Sequence, residues 1–412
     1  VPPDNEASRG AGRAATVLDG LPVPRGDAFG LPTEFARSRD RQPVHRMVYP
    51  DGHVGWLVTG YSAARAVLTD HRFSSEMHRF RFPVPGPGTD PAAQQPDALH
   101  PGIFQAMDPP EHTRYRRLLV GKFTTRRMHQ LQAKIEQVTG ERLDQMQRQG
   151  PPVDLVSTFA MPIPSEVIRH IVGAPESDWG VFHRHVETMI ATDVTFDDIA
   201  AVMQAVPDFL RDLVLRKRRD PGDDVLSDLI ATGEVDDDEL VGLCWLLLEN
   251  GYTTTANMLA LGTLALLVNP EQLAALRAYP SLADKATEEL LRYITIFQFG
   301  LFRAAREDVE LAGHLIKAGD AVTVLPSTAN RDPAHFADPD RLDVTRSATG
   351  HLSFGHGIHI CLGQHLARAE MRIAYTALLR RFPSLHLAAA PDELSFRTSK
   401  VIYGVQQLPV SW

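Results

Sequence analysis

Apolar residues recur at three- and four-residue spacing over 113–132, 154–171, 178–192 and 197–219, which predicts helices with one buried stripe. A longer helix is predicted from near Asp237 to about Val268. Within it, residues 250–270 carry no charge, and about twenty apolar residues would span a bilayer. Asn250, Thr253, Thr254, Thr255, Asn257 and Thr263 interrupt that run, and no basic residues flank it. The reading is therefore a helix buried on all sides in a large globular body, without membrane contact. Polar residues halfway along such a helix need a function.

Strand signals are fewer. Val44, Arg46 and Val48 alternate, Pro50-Asp51-Gly52 supplies a turn, and residues 55–59 return, which predicts a hairpin. Short strands are expected near 311–316, 321–324 and 401–405. Residues 81–110 hold eight prolines without periodicity, the mark of a long binding loop or lid. The fold class that follows is mainly α with a small β-rich region (α+β). One domain is expected over 26–412, after a flexible solvated tail over 1–25 that carries Asp4, Glu6, Arg9 and Arg13.

Composition changes this picture little. The chain of 412 residues is 43% apolar, with 42 basic against 51 acidic residues and a formal charge of −9. That is a globular composition and a poor polyanion binder, so nucleic acid is excluded as a partner. Cysteine changes it more. Cys244 and Cys361 stand far apart, with no disulfide framework and no CxxC knuckle, and so sparse a count suits a reducing cytoplasm.

Around the second cysteine the chain reads Phe354-Gly-His-Gly-Ile-His-Ile-Cys-Leu-Gly-Gln-His-Leu-Ala-Arg368. Gly355, Gly357 and Gly363 surround Cys361, and a helical pattern starts directly after it. Backbone N–H groups and the positive end of a helix dipole favour a thiolate there. Glycines also leave a flat approach for something broad. Two other readings fit the same residues. Cys361 is a buried structural cysteine, or His356, His359, Cys361 and His365 form a zinc site.

The run Phe354-x-x-Gly357-x-His359-x-Cys361-x-Gly363 resembles the haem-binding signature of the cytochrome P-450 family, the haem-thiolate monooxygenases. Glu289-Leu-Leu-Arg292 is similar to the family's Glu-x-x-Arg pair, both charges on one helix face. Pro339-Asp340-Arg341 resembles the segment whose arginine joins that pair in a buried network. The runs at 56–61 and 402–405 extend the likeness to soluble actinobacterial members. The resemblance implies a single-domain P-450 fold around haem b (iron protoporphyrin IX), with the Cys361 thiolate as axial ligand and Phe354, Gly355 and Gly363 beside the cofactor. His112 and Arg116 share a helix face at i, i+4. With Arg303 and His359, the resemblance sets them against the two haem propionates, whose charge must be neutralised if buried. Arg114, Arg117, Lys122, Arg126 and Arg127 form either a solvated basic face or a docking face for an acidic electron donor.

The implied reaction uses O2 and NAD(P)H-derived electrons, delivered by a separate ferredoxin and ferredoxin reductase to a monomeric cytoplasmic enzyme. One oxygen atom enters the substrate by hydroxylation or epoxidation and the other leaves as water. In the family, Ala-Gly-x-(Asp/Glu)-Thr-Thr delivers the protons this requires. The matching stretch is Asn250-Gly251-Tyr252-Thr253-Thr254-Thr255. Gly251 and Thr254 match, which implies a bent groove over the haem and an oxygen-side hydroxyl. Asn250 replaces the small residue, and Thr253 replaces the acid. A carboxylate relays protons by changing charge, whereas a hydroxyl only passes one along a chain. Glu249, one turn earlier, is a candidate substitute. Ordinary oxygen insertion, radical coupling or ring closure, peroxide-driven oxidation and a non-catalytic haem sensor all stay open. The resemblance places substrate contacts at Phe82, Leu247, Asn250, Ile294, Phe297, Val401 and Ile402, and Phe297, Phe299, Leu301 and Phe302 suggest an apolar wall for a lipophilic secondary metabolite.

Overall fold

The computed structural model describes residues 17–22, 25, 27–35, 42–86, 101–189 and 194–412. Its strands are β1 (Val44–Val48), β2 (Val54–Val58), β3 (Phe73–Ser74), β4 (Val153–Asp154), β5 (Leu301–Ala305), β6 (Val309–Leu311), β7 (His314–Ile316), β8 (Ala321–Val324), β9 (His386–Leu387) and β10 (Pro409–Ser411). Its helices are α1 (Tyr61–Thr69), α2 (Glu111–Val120), α3 (Thr125–Gln149), α4 (Pro162–Val172), α5 (Trp179–Met189), α6 (Phe196–Arg219), α7 (Val225–Thr232), α8 (Asp237–Leu267), α9 (Pro270–Ala278), α10 (Ala283–Ile294), α11 (Pro326–Ala329) and α12 (Gln364–Arg381).

Asp236 starts the helix around which the others pack. Its carboxylate accepts the Glu239 N–H at 2.8 Å, and Glu239 accepts the Asp236 N–H at 2.9 Å, a reciprocal capping box. Glu239 also accepts from Tyr115 on α2 at 2.8 Å and pairs with Arg114. From Leu240 to Leu266 almost every side chain of α8 is buried, as a helix that is apolar all round requires. Its first half packs in one core with Ile168 of α4, Val206 of α6 and Leu226 of α7. Its second half packs in another with Leu290 of α10 and Leu378 of α12. Among the described residues no single helix is long and apolar enough to cross a membrane.

The main sheet has the order β1-β2-β8-β5-β3, with β2 and β8 parallel and the other neighbours antiparallel. The single strand expected over 311–316 is instead the end of β6, a reversal at Ala312 and Gly313, both at positive φ, and β7, which pairs back on β6 as a hairpin. Residues 401–405 are not a strand. Only isolated bridges, Phe297 to Ile402 and Phe396 to Val405, tie them in. The helix expected over 113–132 breaks at a 3-10 turn, Gly121–Phe123, and restarts where the Thr124 hydroxyl caps α3. Near the end of the segment expected to be a tail, two residues make contacts with the body. Leu18 exchanges two 2.9 Å backbone hydrogen bonds with Arg46 and Val48, and the Arg25 guanidinium lies 4.1 Å over Tyr403. Asp4, Glu6, Arg9 and Arg13 lie outside the described residues.

Glu289 and Arg292 are fully buried and doubly hydrogen bonded at 2.8 Å. Arg292 also donates to the Asn330 and Pro339 carbonyls at 2.9 and 2.8 Å. The third member is not Arg341, whose side chain is 64% exposed and pairs with Asp343. It is Arg346, 12% exposed, which donates to Glu289 at 3.1 Å. Arg341 lends the network only its carbonyl, at 3.4 Å from Arg292. Arg346→Ala should cost about 1.5–3 kcal/mol in denaturant unfolding, and Arg341→Ala within about 0.5 kcal/mol. Equal losses would return Arg341 to the network.

Glu370 on α12 is fully buried, and neither carboxyl oxygen has a hydrogen-bond partner. Burial pushes it well above the ordinary 4.5, so the unfolded chain releases this proton first. Its contribution to stability is complete below pH 4.5 and is lost as pH rises from there. Glu370→Gln should therefore be increasingly more stable than the parent between pH 4.5 and neutrality. A stability difference that stays flat over that range would show the carboxyl to be ionised and partnered.

Candidate active site

A tight loop presents Cys361. The Cys361 N–H donates to the Phe354 carbonyl at 2.8 Å, and the Gly355 N–H to Leu352 at 2.9 Å. Gly357 sits at φ +72° with its backbone against α1, where a Cβ would lie 2.2 Å from the Leu68 carbonyl oxygen. At Gly363, the N-cap of α12, a Cβ would meet nothing within 4 Å. The glycines therefore do two things: one admits a close backbone contact, and another leaves open space beside the thiol. Phe354 is held from behind by Arg368, whose guanidinium lies 4.5 Å over the ring. Glu288 fixes Arg368 at 2.6 and 3.0 Å and meets His351 at 3.3 Å.

The Cys361 thiol is exposed, and the Gly363 N–H, Arg116 and Arg368 all pull it toward the thiolate. A cation bound at sulfur would hold it in that form. Among the described residues no three His, Cys, Asp or Glu side chains converge as a metal-ligand set, which removes the zinc reading of His356, His359, Cys361 and His365.

Next to Cys361 four basic groups converge from three parts of the chain. His112 and Arg116 stand one turn apart on α2, Arg303 comes from β5, and His359 from the cysteine loop. The two imidazole centroids are 4.2 Å apart. Both nitrogens of buried His112, and Nε2 of His359, have no hydrogen-bond partner. Arg116 donates to the Ile360 carbonyl at 2.7 Å, and buried Arg303 to that of Phe302 at 2.7 Å. Burial, reinforced by the neighbouring cations, holds His112 at about 4 and His359 at about 3. Burial brings Arg303 down to about 10. The nearest acid, Asp108, is engaged with the Ser75 N–H and Arg306. Two desolvated guanidinium groups beside two neutral imidazoles with unpaired nitrogens call for bound anions. One soft ligand, an open glycine flank and a pocket wanting carboxylates fit haem b with its two propionates.

On α8 the placement differs from expectation. The helix is unbroken from Asp237 to Leu267, without a widened turn at 250–254. The Asn250 amide donates back to Leu246 at 3.0 Å, and the Thr254 hydroxyl to Asn250 at 3.0 Å. Gly251 is there for packing, since a Cβ would lie 2.4 Å from Ile168 Cγ1 on α4. Thr253 is buried and its hydroxyl completes no well-formed hydrogen bond, to Glu249 or to the Tyr252 phenol nearby. Glu249 instead lies against the Trp245 indole, and burial pushes it up to about 7. One contact escaped sequence reasoning: His183 Nδ1 on α5 meets the Tyr252 hydroxyl at 2.8 Å.

Of the expected substrate contacts, Phe82 meets Phe302 in a tilted contact at 5.1 Å and Phe80 edge-on at 5.6 Å. Phe297 is bridged to Ile402, and Val401 packs on the same core. Leu247 and Ile294 are buried within the two cores. The segments 87–100 and 190–193 lie outside the described residues. The basic face is largely cancelled by this chain's own acids. Arg114 pairs with Glu239, Arg117 with Glu234, Lys122 with Asp228 and Arg127 with Asp223.

The family model for Cytochrome P450 matches residues 281–405, the stretch that holds Glu289, Arg292 and Cys361. Cytochrome P450 105C1 of a Streptomyces species is 44% identical, covering 94% of this chain and 97% of that protein. Pentalenic acid synthase of Streptomyces avermitilis is 43% identical over 97% and 99% of the two. The crystal structure of CYP105P1 with filipin I, 41% identical, covers 96% of this chain and 99% of that one with a TM-score of 0.91. With likeness of this depth over nearly the whole length, the chain belongs to the cytochrome P450 family, monooxygenases whose cofactor is thiolate-ligated haem.

Proposed function

We propose that Cys361 ligates the haem iron, and that His112, Arg116, Arg303 and His359 hold the propionates. The enzyme hydroxylates or epoxidises a lipophilic secondary metabolite in the cytoplasm. Its electrons come from NAD(P)H through a ferredoxin and its reductase. The observation that carries this reading is the cluster of desolvated basic side chains beside Cys361, with three imidazole nitrogens unpartnered. Relatives named for pentalenic acid and crystallised with filipin I support a small organic substrate.

Haem bound here supplies the iron that activates O2. The protein's own residues do the remainder. Carboxylates against His112 and His359 would reverse the unfavourable field that depresses both imidazoles, so each donates an N–H and gains a partner. Phe80, Phe82 and Phe302 pack as an aromatic cluster on the strand that carries Arg303. The Thr254 proton rests on the Asn250 carbonyl, which leaves the lone pairs of that hydroxyl available to accept.

Reduced protein exposed to CO should give the strongly red-shifted Soret band of cysteinate ligation, and Cys361→Ala should abolish it. An unshifted band in the parent would overturn the reading. Thr253→Glu should raise the fraction of NAD(P)H consumption that appears as product. If neither coupling nor product changes, the missing acid does not shape the chemistry.

A further inference from the structure

Loss of the acid at position 253 leaves α8 without a group that changes charge next to Thr254. The structure holds such a group one helix away. Tyr252 is fully buried, and its hydroxyl meets His183 Nδ1 at 2.8 Å, with the rings 5.5 Å apart. On its other side the phenol lies close enough to the Thr253 hydroxyl to be pulled down by it. Thr253 Oγ1 is itself buried and completes no well-formed hydrogen bond. His183 is half-buried on α5, between the interior and solvent.

We propose that His183 and Tyr252 form the proton entry to the α8 hydroxyls, replacing from α5 the carboxylate that Thr253 lacks. This rests on the monooxygenase reading above. The two residues divide the work by chemistry. Burial holds the Tyr252 phenol well above its ordinary range, so it stays a neutral O–H that accepts and donates at once. His183 is the member that titrates. Burial lowers it, Glu187 opposes, and Arg397 and Arg184 add to the lowering. Glu187 is committed to Arg397 at 2.9 Å, and its carbonyl to Lys400 at 3.0 Å. Tyr252 faces Glu187, Glu249 and Arg397.

In the transfer, the imidazolium Nδ1–H passes to Tyr252 Oη while the phenolic proton passes to Thr253 Oγ1. The threonine proton moves on to Thr254 Oγ1, whose own proton leaves the Asn250 carbonyl for the oxygen being reduced. Each hydroxyl ends with one proton, and the neutral imidazole regains its proton from solvent. Glu249, held at about 7 beside Tyr252, is the rival donor.

The test uses the haem-loaded enzyme with its electron-transfer partners. His183→Asn, His183→Gln and Tyr252→Phe should keep the Soret band and haem content of the parent. Each should lose coupling of NAD(P)H consumption to product at least about tenfold, at the low end of general-acid effects. Parent coupling should fall as pH rises, with a midpoint below 6.5, and the His183 variants should be flat. A readout independent of turnover is the His183 titration followed by NMR, which should shift in Tyr252→Phe. A parent that turns over, with variants equally well coupled, would sink the relay and leave the monooxygenase reading intact. So would loss of coupling in Glu249→Gln alone. A parent without the shifted Soret band would defeat the monooxygenase reading itself.

Discussion

Basic groups cannot share a dry pocket without an anion, and this constraint governs the described site. His112, Arg116, Arg303 and His359 are delivered by a helix, a central strand and a loop, and the desolvation of the two guanidinium groups opposes bringing those elements together. The opposition is met by packing elsewhere, in the two cores on either side of α8. A pocket assembled against its own electrostatics is preorganised, because carboxylates that enter find donors already desolvated and aimed. The cofactor's arrival then contributes to stability as well as to chemistry.

The same helix serves as core and as reactive surface, and the two demands compete at each residue. Gly251 meets a packing demand, allowing α4 to approach where any Cβ would collide. Asn250 and Thr254 satisfy their polar atoms on carbonyls one turn back, so neither introduces a buried polar debt. Thr253 does introduce one, in the middle of a helix whose other polar side chains are mostly satisfied. An uncompensated hydroxyl at that position is the local inconsistency that sets this chain apart from its family's pattern.

Where a motif lies within a few residues, the sequence was readable. The cysteine loop, the Glu289–Arg292 pair and the long helix all follow from local spacing. Legibility failed where a contact depends on how irregular chain turns. Arg341 and Arg346 lie five positions apart in a segment without period, and only the turns at 338–346 decide which one reaches Glu289. The ion pairs of the basic face were not readable, because its partner acids lie more than ninety positions away in sequence, on or around α7 and α8. His183 carries no motif at all. Its significance depends on one contact across 69 positions, which no periodicity encodes.

Glu239 is a single carboxylate with three obligations. It closes the capping box of α8 and anchors Arg114 and Tyr115 of α2, the helix that carries His112 and Arg116. The first turn of the central helix and the wall of the cofactor pocket are thereby one mechanical joint. Fraying at that joint would loosen the grip on the cofactor from more than one turn away. The enzyme's hold on its haem is thus limited by the firmness of a helix end that never touches it.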